Sequence, residues 1–521
     1  MIPVETELKL RLVRPITLSQ LMSHSHLQEL AAGQSPVRQQ LETTYYDTPS
    51  YRLLHNRLSF RLRHEGPQWI ATVKAGGGGN GGLHQREEHN LVYGEPIPDI
   101  SPFVSTSIGP RLLAALGEET LQPIFSTHFD RHTLQLTFPD GTQAELALDE
   151  GEITTPDQHQ PLAEIELELK HGQVAHLLRL GAELSRTLPL LPETNSKWDR
   201  GARLADIPLP TAITKSPVIT KADFAKDARI ILSRLAISQL HYIITAQQHF
   251  IDFPEDPETL HQLRVSLRQF RAFLSFSQPL LSTELIAPVK EALRNWGQTL
   301  GELRETDVLL ESWTHLALHL MSDQKKPHTA LADNLKKTRL LLAEQLRDEL
   351  ASGLYTPLLL DLWRQLEEWP LTDDPIPVPP LAEYLHHRLA HWLQDMIAGE
   401  APDLNDAQAL HQLRIRGKKV RYVLEIISPF YSSKITSLLQ RRLKLLQDHL
   451  GTMHDILTAA TLLTRFVKPS SARLLHYDHG LLIGWQTAQK ITALENFHNT
   501  WRRFKKTAKN WLDRHVSASH Q

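Results

Sequence analysis

Glu5–Leu10 reads ETELKL and Leu162–Lys170 reads LAEIELELK, and these two stretches decide the fold of the N-terminal part of the chain. A β-strand points successive side chains to opposite faces. Read as strands, the first places Glu5, Glu7 and Lys9 on one face and Leu8 and Leu10 on the other. The second opposes Glu164, Glu166, Glu168 and Lys170 to Ile165, Leu167 and Leu169. Arg61 and Arg63 oppose Phe60 and Leu62 in the same way, and Glu145 and Asp149 oppose Leu146 and Leu148. Any one row fits a solvated sheet face. The set is different, because acidic and basic rows come from separate parts of the chain and each has an apolar back. A sheet closed on itself accommodates all of them: the backs pack outward against helices and the charges line a lumen. Uncompensated charge there would be costly, and a polyanion with metal ions would compensate both signs at once.

Working outward, residues 1–205 read mainly as short strands between Gly, Pro, Asp and Asn turns. Examples are Glu5–Leu12, Leu58–Arg63, Trp69–Lys74, Thr133–Phe138, Gln143–Asp149 and Leu162–Lys170. The run AGGGGNGG after Lys74 lacks the GK[ST] ending of a nucleotide-binding loop and reads as a hairpin connection. Residues 206–221, with Pro208, Pro210 and Pro217 and no periodicity, read as a linker. From Ala222 apolar residues recur at spacings of three and four, the mark of amphipathic helices, through 222–515. This half is written twice. LHQLRVSLRQFR at 260–271 returns as LHQLRIRGKKVR at 410–421, an offset of 150 from His261 to His411. The same offset pairs Leu300-Gly301 with Leu450-Gly451 and His241 with His391 without a gap, which predicts a duplicated helical bundle.

Cysteine is absent, which excludes disulfides, a thiol nucleophile and cysteine metal sites. The N-terminal MIPVETELKL has no basic segment leading into an apolar one, and no apolar run approaches a membrane span, so a cytoplasmic protein is expected. The net charge of −3 does not mark a nucleic-acid binder, and the 28 histidines add positive charge only toward pH 6.

The charged rows suit phosphate chemistry. Arginine and lysine from several strands clamp phosphate oxygens. Carboxylates cannot hold phosphate, but they hold hard divalent cations that bridge to it. ETELKL resembles the ExExK signature of the CYTH, or triphosphate tunnel metalloenzyme, family, and later segments follow the family's order. These are TTYYDTPSYRLL at 43–54, RLSFRLR at 57–63, ATVK ending in Lys74, GGLHQREE with Arg86 and Glu88, STHFDR with Arg131, ALDEGEI with Asp149, LAEIELEL, and NSKWDRGA with Lys197 and Arg200. The resemblance implies an eight-stranded antiparallel β tunnel in an α+β domain and hydrolysis of triphosphates with Mg²⁺ or Mn²⁺. The implied metal ligands are Glu5, Glu7, Asp149 and two of Glu164, Glu166 and Glu168, the register leaving that choice open. The implied phosphate clamp is Lys9, Arg61, Arg63, Lys74, Arg86, Arg131, Lys197 and Arg200, with Glu5, Glu7 and Lys9 as the catalytic core.

In the helical half, His261, Arg264, Arg268 and Arg271 fall on one helix face, and His411, Arg414, Lys418 and Arg421 repeat them. Like charges this close are either solvated beside acidic partners such as Glu305, Asp307 and Asp455, or they hold anions. LHQLRVSLRQFR, LGELRETDV, LHQLRIRGKKVRY and LQDHLGTMHD are similar to the CHAD family. That resemblance implies an all-α domain of two four-helix bundles that binds inorganic polyphosphate through these residues, with Arg304 and His454 in matching places. His387 and His391 have helical metal-pair spacing but no third ligand, so a structural or anion-binding role is expected of them.

The combination implies an inorganic triphosphatase that also binds polyphosphate. The alternatives are a polyphosphate-binding protein without turnover and a CYTH enzyme acting on ATP or thiamine triphosphate. No membrane partner is expected, and a nucleic-acid partner is disfavoured.

Overall fold

The computed structural model describes residues 4–76, 79–209, 220–281, 283–321, 330–371, 377–404, 406–431, 433–466 and 473–516, though not every side chain within them. Residues 210–219, most of the expected linker, lie outside the described residues.

The strands are β1 (Val4–Leu12), β2 (Val37–Asp47), β3 (Leu58–Glu65), β4 (Gln68–Ala75), β5 (Leu83–Tyr93), β6 (Gln122–Thr137), β7 (Gln143–Thr154), β8 (His159–His171) and β9 (Leu190–Pro192). They pair antiparallel in the order β5-β4-β3-β2-β6-β7-β8-β1, and β1 pairs back onto β5. The expected eight-stranded closed tunnel is therefore present. β5 covers β1 only from Val4 to Leu8, and β9 takes the remaining edge from Leu10 to Leu12. Closure leaves no long free edge. Gly66 at φ 57 and Pro67 make the two-residue turn between β3 and β4, where a side chain would resist the left-handed backbone.

Short helices clothe the barrel: α1 (Leu18–Met22), α2 (Ser25–Leu30), α3 (Arg52–His55), α4 (Gly109–Leu116), α5 (Val174–Leu184) and α6 (Lys197–Leu204). Phe60, Leu62, Ala71 and Val73 form one outer core with Leu53 of α3 and Leu112 and Ala115 of α4. Asp47, fully buried, accepts hydrogen bonds from the backbone N–H groups of Thr48, Leu53 and Leu54, so it fixes the turn into α3. The opposite outer face, with Leu8 and Leu10, lies under α5, where Gly181 allows the approach of Leu8.

The helical part continues with α7 (Ala228–Asp252), α8 (Pro257–Ser277), α9 (Thr283–Thr299), α10 (Gly301–Met321), α11 (Ala330–Ala351), α12 (Thr356–Glu368), α13 (Leu381–Ile397), α14 (Ala407–Ile427), α15 (Lys434–Phe466) and α16 (Arg473–Val516). Two compact units emerge. The first takes in Met1–Lys215, Leu240–Thr245 and Glu349–Glu368, and the second the remainder. Within the first, α12 packs on α5 and β9: Leu360 touches the Gly181 position, and Thr356 Oγ1 donates to the Leu190 carbonyl at 2.6 Å. Periodicity could not foretell that this helix belongs with the barrel.

In the second unit the repeat appears as structure. α8 and α14 begin and end 150 residues apart, at 257 and 277 and at 407 and 427. They pack against each other. α13, α14, α15 and α16 close a four-helix ring. The first copy differs at Leu300, where the chain breaks between α9 and α10, while its counterpart Leu450 lies inside the continuous α15. α16 also joins the first copy, since Leu475 and Leu482 share a core with Leu309, Trp313, Leu331 and Leu335. Among the described residues no helix is long and apolar enough to cross a membrane.

Candidate active site

Period-two alternation brings the charged rows into the barrel. Register sets Lys9 beside Glu166, Glu7 beside both Glu168 and His84, and Asp149 beside both Arg131 and Glu164. Glu7, Lys9, Asp149, Glu164, Glu166, Lys197 and Arg200 are all buried, as charges are only when paired.

Two charge clusters form. In the first, ligand oxygens of Asp149, Glu164 and Glu166 lie within 4.8 Å of one another. Lys197 Nζ donates to all three, at 2.7, 2.5 and 2.9 Å respectively. Lys9 and Arg131 also donate to Glu166, Arg131 chelates Asp149 at 2.6 and 2.7 Å, and Arg200 reaches Glu164 at 3.2 Å. Lys9 pairs with Glu7 at 3.0 Å. In the second, Lys74 bridges Glu5 at 2.5 Å and Glu88 at 3.0 Å, and Arg61 approaches Glu88 at 3.8 Å. On β8 Glu164 and Glu166 group with Asp149, while the partly buried Glu168 turns to Lys170 at 2.6 Å. Glu5 and Glu7 lie outside that trio.

The electrostatics separate the groups. Burial opposes ionisation of Glu7, but Lys9 and Lys74 hold its carboxyl down at about 2. Burial opposes Glu166 as well, and Lys197, Lys9 and Arg131 keep it well below the carboxylate range. Glu164 goes the other way: burial and Glu166 raise it despite Lys197 and Lys9. Three carboxylates are therefore crowded to the point where one resists ionisation, a strain that a divalent cation relieves. Oxygen-only donors suit a hard divalent cation, so the trio fits such an ion, in competition with the Lys197 ammonium.

The basic side is less satisfied. Burial, with Arg61 and Arg131 nearby, lowers Arg63 to about 10. Among the described residues the buried Nε atoms of Arg61 and Arg86 have no hydrogen-bond partner. Cations left short of acceptors in a closed site are prepared for an anion.

One feature of the lumen was not legible. Phe125 and Phe129 of β6 point inward and meet Tyr45 of β2 and Trp198 of α6. Gly201 of α6 packs on the Phe125 ring. They form an apolar floor, and the Phe129 ring carries Lys197 at 5.1 Å, Arg131 at 5.7 Å and Arg63 at 5.9 Å from its centre.

Burial, set partly against Lys74 and reinforced by Glu7 and Glu88, pushes Glu5 up to about 7 from the ordinary 4.5. A raised carboxyl contributes stability that is fully present below about 4.5 and lost as pH rises through about 7. The same ionisation adds negative charge to the lumen. For the triphosphate that the sequence resemblance implies as ligand, affinity in chelator is expected to weaken by about tenfold through that window relative to Glu5→Gln. The anion's own titration is common to both proteins, so a calorimetric series from pH 5.5 to 8.5 isolates the Glu5 contribution, and parallel curves would exclude it.

In the second unit α8 carries His261, Arg264, Arg268 and Arg271, and α14 carries His411, Arg414, Lys418 and Arg421. Burial, Arg268 and Arg304 lower Arg264 to about 10, so Arg304 of α10 joins the first stripe. Arg264, Arg268 and Arg271 line a cleft of about 240 Å³ with Arg294 of α9. Among the described residues these three stripe arginines meet no carboxylate at ion-pair distance, and Asp307 is taken by Arg339 at 2.7 Å. Arg294 escaped the sequence reading, although the 150-residue offset pairs it with Lys444 and could have found it. The side chains of His454 and Asp455 lie outside the described residues. His387 and His391 are exposed on α13, and among the described residues only the barrel trio groups as a metal cluster.

Comparison with known proteins matches these two regions. The CYTH domain model covers residues 4–202 and the CHAD domain model residues 238–464. An inorganic triphosphatase of Haemophilus influenzae is 37% identical over 161 residues, 31% of this chain and 45% of that protein. The chain thus spans under half the length of that relative. An uncharacterised Mycobacterium tuberculosis protein is 23% identical over 518 residues, covering 92% of each chain. The crystal structure of the CHAD domain from the plant Ricinus communis aligns with 56% of this chain and 95% of its own, at 24% identity and a TM-score of 0.44. The chain is a CYTH–CHAD protein, with the charged barrel as its CYTH domain and the paired basic helices α8 and α14 inside its CHAD domain.

Proposed function

We propose that the protein hydrolyses inorganic triphosphate to pyrophosphate and phosphate in the barrel and binds polyphosphate on the basic helices. The observation that carries the first part is the meeting, in one closed lumen, of the Asp149–Glu164–Glu166 trio with arginines short of acceptors. A site for a simple anion needs the cations alone. Buried carboxylates at its centre add a requirement for a divalent cation, and hydrolysis of a phosphoanhydride supplies the reason for both.

The chain's own residues have separable roles in this reading. Asp149, Glu164 and Glu166 would hold Mg²⁺ or Mn²⁺, which neutralises phosphate charge and acidifies water when bound. Arg61, Arg63 and Arg86 bind phosphoryl oxygens, and Lys9 and Lys74, each tied to carboxylates, fix where those oxygens stop. The aromatic floor excludes water beneath Lys197 and Arg131 and strengthens their fields. The H. influenzae relative supports triphosphate as the substrate class. The experiment is phosphate release from tripolyphosphate, ATP and thiamine triphosphate, each with Mg²⁺, Mn²⁺ and chelator. Metal-dependent release fastest from tripolyphosphate is expected. Preference for a nucleotide or thiamine ester would change the substrate, and no release from folded protein would leave a binding protein.

For the helices, Arg264→Ala combined with Arg414→Ala is expected to weaken affinity for long-chain polyphosphate by at least about tenfold. The dependence of log affinity on log salt should become shallower by about one per arginine removed. Unchanged affinity, with helical content intact by circular dichroism, would show that the stripes are merely solvated faces.

A further inference from the structure

His84 is fully buried on the lumen face of β5, yet no part of the proposed chemistry uses it. Its Nε2 lies 2.9 Å from the Glu193 carbonyl oxygen and its Nδ1 lies 2.7 Å from Arg86 Nη2. A carbonyl only accepts and a guanidinium only donates. Nε2 therefore carries the proton, and Nδ1 presents a lone pair to Arg86. A second proton on the ring would point N–H at N–H. Burial, Arg86 and Lys9 push the ring's pKa down to about 3, in keeping with a neutral imidazole.

The carbonyl that selects the tautomer is itself anchored, because Glu193 N donates to the Lys9 carbonyl at 2.9 Å. Gly79 closes over the other side of the ring: a Cβ there would lie 2.2 Å from His84 Cε1. The imidazole is thus clamped on both sides, and its free direction is toward Arg86.

Arg86 is set apart from its neighbours. Lys9, Lys74, Arg131, Lys197 and Arg200 are each held by a carboxylate. Among the described residues Arg86 meets no carboxylate at ion-pair distance, and its buried Nε is unpartnered. A neutral acceptor orients a guanidinium without cancelling its charge, whereas a carboxylate in the same place would do both.

We propose that His84 is a positioning residue that holds Arg86, through its Nδ1 lone pair, as an unneutralised clamp for a phosphoryl group of the triphosphate. This rests on the reading of the barrel as a triphosphate site.

The test is a double-mutant cycle in the full chain, read as kcat/KM for tripolyphosphate and as calorimetric affinity for tripolyphosphate in chelator. Arg86→Ala is expected to lower kcat/KM on the order of a hundredfold. His84→Ala should lower it by about tenfold to a hundredfold, and affinity should fall in parallel. In the Arg86→Ala background the His84→Ala effect should shrink below about twofold. His84→Asn, whose Oδ1 can replace Nδ1 as acceptor, should recover most of the loss. If His84→Ala does not fold, His84→Leu fills the space without an acceptor and enters the same cycle. A His84 effect that persists undiminished without Arg86, or no effect at all, overturns the proposal while the barrel reading stands. A silent Arg86→Ala removes Arg86 from the clamp and overturns the proposal alone, whereas a folded wild-type protein that neither binds nor hydrolyses tripolyphosphate overturns the barrel reading beneath it.

Discussion

Glu166→Gln is expected to lower phosphate release from tripolyphosphate on the order of 10²- to 10³-fold and to raise the Mg²⁺ or Mn²⁺ concentration needed for what remains. Glu166 is the hub of the first charge cluster. It accepts from Lys9, Arg131 and Lys197 and contributes one of the three crowded carboxylates. Glutamine preserves the shape but removes the charge that a divalent cation requires, and it leaves three buried cations with one negative partner fewer. Breaking a buried ion pair from one side typically costs about 3–5 kcal/mol. Glutamine still accepts hydrogen bonds, so the thermal shift should be smaller than for Glu166→Ala. A metal titration of initial rates beside melting curves separates the two effects. Wild-type turnover at every metal concentration would remove Glu166, and with it the trio, from the metal role.

Ending the chain after Leu209 is expected to leave a barrel that is barely stable by itself. α12 supplies Leu359, Leu360, Leu362, Trp363 and Leu366, each no more than 2% exposed. Their burial depends in part on α5 and β9. Fully burying one such side chain contributes about 1.5–3 kcal/mol. Uncovering the matching face of α5 therefore removes an amount comparable to the roughly 5–15 kcal/mol that holds a whole domain. Contacts to the β9 backbone would vanish with it, including the bond from the Thr356 hydroxyl to the Leu190 carbonyl and the seat of Gly353 against Leu190. Hydrogen exchange on β1 and β8 is the measurement. Rapid exchange in the fragment and slow exchange in the full chain are expected. Equal protection would mean that the barrel needs nothing beyond its own residues.

Alternation and duplication carried much of this structure. Leu8 opposite Lys9, and Phe60 opposite Arg61, are enough to place apolar backs outside and charges inside, because a pleated strand has no other way to sort them. The offset from His261 to His411 was likewise enough to predict two matching helices, since equal patterns bury equal faces. Where alternation inverts, the reading stops. Phe125 and Phe129 turn inward on β6 while His128 faces solvent, because α6 covers that end of the lumen and makes it apolar.

The sequence by itself determined the kinds of chemistry present: which strands carry carboxylate, which carry guanidinium, and that two helices repeat one basic stripe. Only the tertiary structure decided which groups meet. Glu164 and Glu166 rather than Glu168 join Asp149, α12 belongs with the barrel, and Arg86 answers to a histidine rather than a carboxylate. Local spacing assigns a side chain to a face, but its partner comes from inter-strand register and long-range closure, which depend on residues far away along the chain.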